Sequence, residues 1–245
     1  MTKIPTAVRY LEELATRVGQ LVGQNGPAIA AAADAIERTA RADGLVYLFG
    51  TGHSHILAEE VHYRAGGLAL TVPVLASATM LHEGSVASSA FERMSGVAAT
   101  VLARYPLGPN DVLVVISNSG VNAAPVEAAK LGKHAGATVI ALSSDTYSRE
   151  AAKGRPRIAD IADILLDNGA PSGDAIVEVA DSGLRVGPVT TSIGAALLHA
   201  VMAEVAARLV KDGGGAPIYL SANMPGAAEN NRDLIARYRA RNPHL

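Results

Sequence analysis

Val46-Tyr47-Leu48-Phe49-Gly50-Thr51-Gly52-His53-Ser54 and Val112-Leu113-Val114-Val115-Ile116-Ser117-Asn118-Ser119-Gly120 have the same construction. An apolar run of strand length passes into a turn of glycines and hydroxyl residues, and a stretch of helical periodicity follows. Runs with no polar alternation belong to strands covered on both faces, which is the condition of a parallel sheet. A strand that ends in such a turn and opens a helix aims backbone N–H groups and hydroxyls at one point. That point lies at a positive helix end, where a phosphate is stabilised. Two turns of this kind predict two sides of one phosphate cradle.

Outward from these segments the pattern repeats. Apolar runs predict strands at 45–49, 70–75, 112–116, 137–142 and 163–167. Periodicities of three and four predict helices at 54–65, 87–103, 122–135, about 148–153 and 190–211. Alternation of strand and helix makes this an α/β chain with a doubly wound sheet, in which ligands bind at the carboxyl ends of the strands. Residues 1–43 read as an N-terminal helical hairpin. Tyr10, Leu11, Leu14, Val18, Leu21 and Val22 mark its first arm, and Gly23–Pro27 is the break before Ile29–Ala40. The α/β core spans 44–212. A tail follows at 213–245, with a short segment at 217–224 and a basic helix around 229–241. The whole, 1–245, reads as a single domain.

Composition narrows the function classes. The net charge of −2 gives no electrostatic case for nucleic acid or an acidic membrane surface. With no cysteine there are no disulfides and no thiolate metal sites. No stretch is expected to reach the ~20 apolar residues of a membrane span. Met1-Thr2-Lys3-Ile4-Pro5 lacks an apolar signal core, so a cytoplasmic location is the expectation. No His, Asp and Glu set has metal-ligand spacing, and no G-x-G-x-x-G turn marks a dinucleotide. No cofactor is therefore expected.

With these residues on the page, the chain resembles the sugar isomerase (SIS) domain family. The carrying motifs are Gly50-Thr51-Gly52-His53-Ser54 after the first strand and Ser117-Asn118-Ser119-Gly120 after the third. The resemblance implies a three-layer sandwich around a mostly parallel five-stranded sheet, a phosphosugar ligand, and assembly as dimers or tetramers. Three further runs resemble a narrower subgroup: Gly50-Thr51-Gly52-His53-Ser54-His55, Ala58–Leu68 and Leu81-His82-Glu83-Gly84. That subgroup contains an N-acetylglucosamine-6-phosphate dehydratase (NagS-like). N-acetylmuramic acid 6-phosphate etherases are similar at a greater distance.

The candidate site residues follow. Ser54, Ser117 and Ser119 are small hydroxyls suited to phosphate oxygens, though Ser and Asn at such turns also cap helices. Gly52 and Thr51 shape the first turn, and His53, Asn118 and Asn122 are placed to meet sugar hydroxyls. Glu60 and Arg64 share a helix face, as i and i+4, and Glu59 lies beside them. The resemblance puts a catalytic glutamate of the etherases and heptose-phosphate isomerases where Arg64 stands here, so Glu60 is the nearest carboxylate. It also matches Glu92, 19 residues before Asp111, to the second etherase glutamate. His82 and Glu83, in a loop at the same sheet edge, read either as acid/base machinery or as an inter-subunit contact. Arg185 stands where the resemblance to glucosamine-6-phosphate synthases puts a glutamate, and is expected to hold phosphate or an acetamido carbonyl, or to pair with Asp181. His199 reads as a core residue of an apolar helix. The amide-rich tail 223–232 reads either as a lid over the site, on this or a neighbouring subunit, or as a frayed end.

The chemistry expected from the resemblance is loss of water from an N-acetylhexosamine 6-phosphate. Glu60, Glu92, His82, Glu83 and Glu59 are the candidate acid/base groups. One removes the C2 proton of the open-chain aldehyde and another protonates the departing C3 hydroxyl. The alternatives are an aldose–ketose or epimerising isomerase, and a non-catalytic phosphosugar sensor. The expected partner is a phosphorylated amino sugar, with a homodimer or dimer of dimers sharing the active site.

Overall fold

The computed structural model describes residues 4–245 apart from Asp181, Asp212 and Gly214. Its centre is a five-stranded parallel sheet in the order β2-β1-β3-β4-β5. The strands are β1 (Val46–Gly50), β2 (Thr71–Val74), β3 (Val112–Ile116), β4 (Thr138–Ser143) and β5 (Ile164–Asp167). All four residues from Val46 to Phe49, and the five of β3, are buried. Truncating one of their larger side chains, Leu113 for example, costs about 2–5 kcal/mol.

Helices cover both faces. On one side α1 (Pro5–Arg41) and α2 (Ser54–Glu60) pack against α8 (Thr190–Lys211). On the other side α5 (Ala123–His134) packs against α4 (Val97–Leu102) and α7 (Ile158–Ile161). The remaining helices are α3 (Ser85–Phe91), α6 (Asp145–Ala152) and α9 (Ala227–Tyr238). An antiparallel hairpin of β6 (Ala175–Glu178) and β7 (Arg185–Pro188) stands apart from the main sheet. This is the α/β, three-layer architecture expected from the sequence.

Several expectations are corrected. The N-terminal hairpin is one 37-residue helix that runs through Gly23–Pro27. Pro27 forfeits one helical bond, but tertiary docking on both sides of it prevails. Buried Leu21 and Asn25 precede it, and Ala32, Ala33, Ala35 and Ile36 follow. The Asn25 amide forms a two-way pair with the Asp167 backbone, donating to its carbonyl (2.9 Å) and accepting from its N–H (2.8 Å). The helix expected over 87–103 is two, because Gly96 adopts φ = +85° at the start of α4. The β6–β7 hairpin went unforeseen, its four-residue strands being too short to show a period. Helix α8, with 22 residues and mean hydropathy 1.6, is long and apolar enough to cross a membrane by length and composition. Here it is an interior packing helix, with Leu197, Leu198, Val201 and Val205 buried.

The tail does not lid the strand ends that carry the two turns. It folds back on this chain at the opposite, amino-terminal edge of the sheet. Ile218 bridges Leu68, and Asn231 pairs with both backbone groups of Leu220. Arg241 reaches the buried Asp111 at 2.6 Å. Beyond it Asn242 and His244 close the open side of edge strand β2, where Pro73 offers no N–H to a foreign strand. The Tyr105 hydroxyl accepts from Leu75 N and bonds His244 Nε2 at 2.9 Å.

Burial holds His62 and His244 below the ordinary imidazole pKa. A depressed folded value means that the unfolded chain takes up these protons first as pH falls. Their contribution is therefore fully present at neutral pH and lost below about 6.5, the unfolded value. Denaturation midpoints should fall between pH 7 and pH 5. His244→Gln, which does not titrate, should flatten that slope; an unchanged slope in both His244→Gln and His62→Gln would contradict the assignment.

Candidate active site

β1 and β3 are neighbours and end in register, Gly50 opposite Ile116. The chain leaves β1 for β2 on one side and returns to β3 on the other, so this is the point where strand order reverses. Ligands of open α/β sheets bind there. Both hydroxyl-rich turns leave the sheet at this place. Gly50 is required by contact: a Cβ on it would lie 2.5 Å from the Ser54 carbonyl. Gly120 turns the second loop at φ = +64° and donates to Ser117 Oγ at 3.2 Å.

Between the turns and α8 lies a shallow, narrow cleft. His53, Ser54, Asn118, Asn168, Thr190 and Thr191 wall it, over Leu57, Ile116 and Leu142. Helix capping absorbs one of these groups, Thr190, whose N–H and hydroxyl both donate to Asp174. His53 and Asn122 stand at the N-caps of α2 and α5 without a side-chain capping bond. Elsewhere in the chain caps are made: Ser144 accepts from Tyr147 N, and Asp174 accepts from the N–H groups of Val189 and Thr190. Among the described residues the Ser54 and Ser119 hydroxyls have no partner, whereas Ser117 is spent on Gly120. The Asn118 side-chain oxygen Oδ1 accepts from Asn168 Nδ2 at 3.2 Å, a contact that orients two amides over the cleft.

Glu92, at the end of α3, reaches the same strand ends from the α5 side. Thr51 Oγ1 donates to one carboxylate oxygen at 2.8 Å and Asn122 Nδ2 to the other at 3.0 Å. Its backbone carbonyl accepts from Ala124 N, and Arg93 lies 3.6 Å away. The side chain is 18% exposed. One carboxylate thus fastens the first turn to the helix after the second.

The other candidates are placed elsewhere. Glu60 bonds Arg64 and, at 3.2 Å, His199 Nε2. His199 is not a core residue: its side chain is 40% exposed. Glu60 is six residues beyond Ser54, about 9 Å along α2, so this cluster lies below the cleft between α2 and α8. Buried His55 bonds the Gly52 carbonyl and lies 3.8 Å from Glu59. The His82 ring stands edge-on to it at 5.9 Å. His82 and Glu83 are exposed in the loop before α3. Arg185 sits in β7, donating to the Ala175 and Ile176 carbonyls of its own hairpin; Asp181, its alternative partner, lies outside the described residues. Asn168 was missed by sequence reading, since a lone amide after a strand carries no period or motif. The pairing of His199 with Glu60 was missed because it joins positions far apart in sequence.

A family model described as the SIS domain matches residues 9–144. A UPF0309 protein of Brucella anthropi is 56% identical over 237 residues, covering 97% of this chain and 98% of the relative. One from Brucella canis is equally similar over the same coverage. Among solved structures, a phosphoheptose isomerase from Francisella tularensis superposes with TM-score 0.55 at 19% identity, over 84% of this chain and 98% of its own. GmhA, the phosphoheptose isomerase of Neisseria gonorrhoeae, gives 0.53 at 20%, over 81% and 96%. The sugar isomerase domain of an RpiR transcription factor from Sphaerobacter thermophilus gives 0.52 at 18%, over 98% and 99%.

The two glycines of the first turn separate contact from conformation. Gly50→Ala drives a methyl into the Ser54 carbonyl and should destabilise by about 3 kcal/mol. Gly52→Ala, at φ = +56° with open space around it, should cost only about 1–2 kcal/mol. Urea denaturation that ranks them the other way would refute the close approach.

Proposed function

Because the chain belongs to the SIS-domain family, we propose that it is a phosphosugar enzyme that isomerises an aldose 6-phosphate by moving the C2 proton. The observation that carries this reading is the Glu92 carboxylate, clamped between Thr51 and Asn122 beside two turns whose Ser54 and Ser119 hydroxyls have no partner among the described residues. The phosphate is held by Ser54, Ser119 and the Asn118 loop. The open-chain C1 aldehyde then lies towards Glu92, with Asn168, Thr190 and Thr191 on the sugar hydroxyls. The aldehyde acidifies the C2 proton. Glu92 removes it, and the electron pair passes into a C1–C2 enediol. The same carboxyl returns the proton to C1 and leaves a ketose. A single base suffices, and such a group contributes ~10²–10⁴-fold. The fold neighbours named as phosphoheptose isomerases fit this reading. Arg185 does not argue against it, since its guanidinium serves its own hairpin.

Elimination of water from N-acetylglucosamine 6-phosphate is the second reading, favoured by the Glu60–His199 pair. It needs a second acid at the C3 hydroxyl, and that pair is a bonded couple able to exchange a proton. Glu59 reaches the first turn through His55, which bonds the Gly52 carbonyl, while His82 and Glu83 are exposed in the loop before α3. Both readings use a phosphorylated sugar, an N-acetylated amino sugar in the second.

Proton NMR in D₂O with glucose 6-phosphate and N-acetylglucosamine 6-phosphate separates them. Ketose signals with deuterium at C1 are the expected outcome from glucose 6-phosphate, lost by at least 100-fold in Glu92→Gln while ligand affinity changes little. An olefinic resonance would move the assignment to elimination. Tight binding with no change in either sugar would favour a sensor.

A further inference from the structure

On the α5 side of the sheet, beyond Asn122, three segments border a cavity of about 640 Å³. They are the turn after α3, the first turns of α5, and the link between α6 and α7. The volume is that of a small-molecule site, roughly 300–1,000 Å³. Each segment contributes one cation, Arg93, Lys130 and Arg155, and the lining holds a single carboxylate, Glu127. The carboxylates beside these cations are committed elsewhere. Lys130 lies three residues after Glu127, a spacing that favours an ion pair. Glu127 turns instead to the start of α4, where it accepts from Gly96 N at 3.1 Å and Ala98 N at 3.0 Å. Lys130 is thus exposed and without a partner among the described residues. Arg93 follows Glu92, but that carboxylate takes its closer bonds from Thr51 and Asn122 and stays 3.6 Å from the guanidinium. Arg155 donates to the backbone carbonyls of Ala151 and Ala152. Other helical cations are matched: Arg17 with Glu13 (2.8 Å), Arg149 with Asp145 (2.9 Å) and Arg208 with Glu204 (2.7 Å).

We propose that this cavity is a second ligand site, outside the phosphate cradle, for a small organic polyphosphate of the nucleoside diphosphate class. The cations are spread along it. Arg93 stands at the Asn122 end, and Lys130 is eight residues further along α5, about 12 Å. One phosphate group does not bridge such a span, whereas a diphosphate joined to a carbon body does. Guanidinium and ammonium groups hold phosphate oxygens through charge-assisted bonds, which are the strong ones. Val121, Val126 and Pro156 add apolar lining for the uncharged body. Occupancy also bears on the candidate base, since Asn122 lines this cavity while it holds Glu92, and Arg93 faces the same carboxylate. The site itself does not depend on which reaction that carboxylate serves.

Isothermal titration of the full chain with ADP, at low salt and without divalent cations, tests this with no sugar present. One ADP per chain should bind. Lys130→Gln should weaken it about tenfold, the worth of one bond to a charged group. Lys130 is exposed and bonds no described residue, so the variant should keep its fold, as far-UV circular dichroism can check. Lys211→Gln makes the same charge change at the far end of α8 and should leave the affinity alone. Ser54→Ala/Ser119→Ala, which strips hydroxyls from the cradle, should leave it alone too. Inorganic pyrophosphate should compete with ADP but bind more weakly, having no body to set against Val121 and Pro156. No binding of ADP at 1 mM, or undiminished binding in Lys130→Gln, would overturn the proposal. So would an equal loss in Lys211→Gln, a loss in Ser54→Ala/Ser119→Ala, or pyrophosphate as tight as ADP.

Discussion

The adjacency of β1 and β3, ending together at Gly50 and Ile116, is the constraint on which the molecule depends. Right-handed crossovers put α2 on one face of the sheet and α5 on the other. The two turns therefore leave the same place in opposite directions, and a gap opens between them at the strand ends. The residues bordering that gap have their backbones fixed by strands buried on both faces. Gly50 lets α2 begin against the strand, and Gly120 bends the second loop back under Ile158, whose N–H donates to the Gly120 carbonyl. Polar groups on such a frame lose little freedom when a ligand arrives, which is the physical content of a preorganised anion site.

The supports of the two sheet edges differ. At the carboxyl edge a buried guanidinium backs the second turn. Arg157 donates to Asp160, to Asp145 at 2.8 Å and to Ser148 at 2.9 Å. Those bonds hold the carboxyls of Asp145 and Asp160 below the ordinary range. They fix α6 and α7 behind Gly120 and leave the turn's own hydroxyls untouched. At the amino edge Asp111 gathers Leu45 N, Gly108 N and Arg241, which anchors the start of β1 and the end of the chain together. One edge closes on itself; the other keeps polar groups in reserve.

Interior features were legible in the sequence because burial on both faces leaves an unbroken apolar run, as in Val112–Ile116. Both serine turns and Glu92 were readable from residue type and spacing beside a family pattern. What escaped depends on three-dimensional context. Gly23–Pro27 reads locally as a break, yet Asn25 meets the edge of β5, and packing outweighs propensity over a helix already docked at both ends. His199 looks like a core residue because its neighbours in sequence are apolar, but its own azimuth on α8 faces Glu60. The four-residue strands of β6 and β7 are shorter than the window in which alternation becomes a signal.

The division of acid/base groups between two places bears on the chemistry itself. A proton moved from C2 to C1 of an open-chain sugar travels between adjacent carbons, so one carboxylate on one face can serve both. Loss of the C3 hydroxyl asks for a donor that reaches a different atom as the C2 proton departs. Glu92 meets the first requirement: its two oxygens are held by neutral donors from two different elements, which sets its direction. Glu60 and His199 meet the second only if the sugar lies along α2, with its phosphate at Ser54 and its reacting carbons about 9 Å down the helix. A ligand in that pose turns its C1 end away from Glu92. The two poses exclude one another, so the direction in which the sugar leaves the phosphate cradle, and not the inventory of carboxylates, decides between isomerisation and elimination.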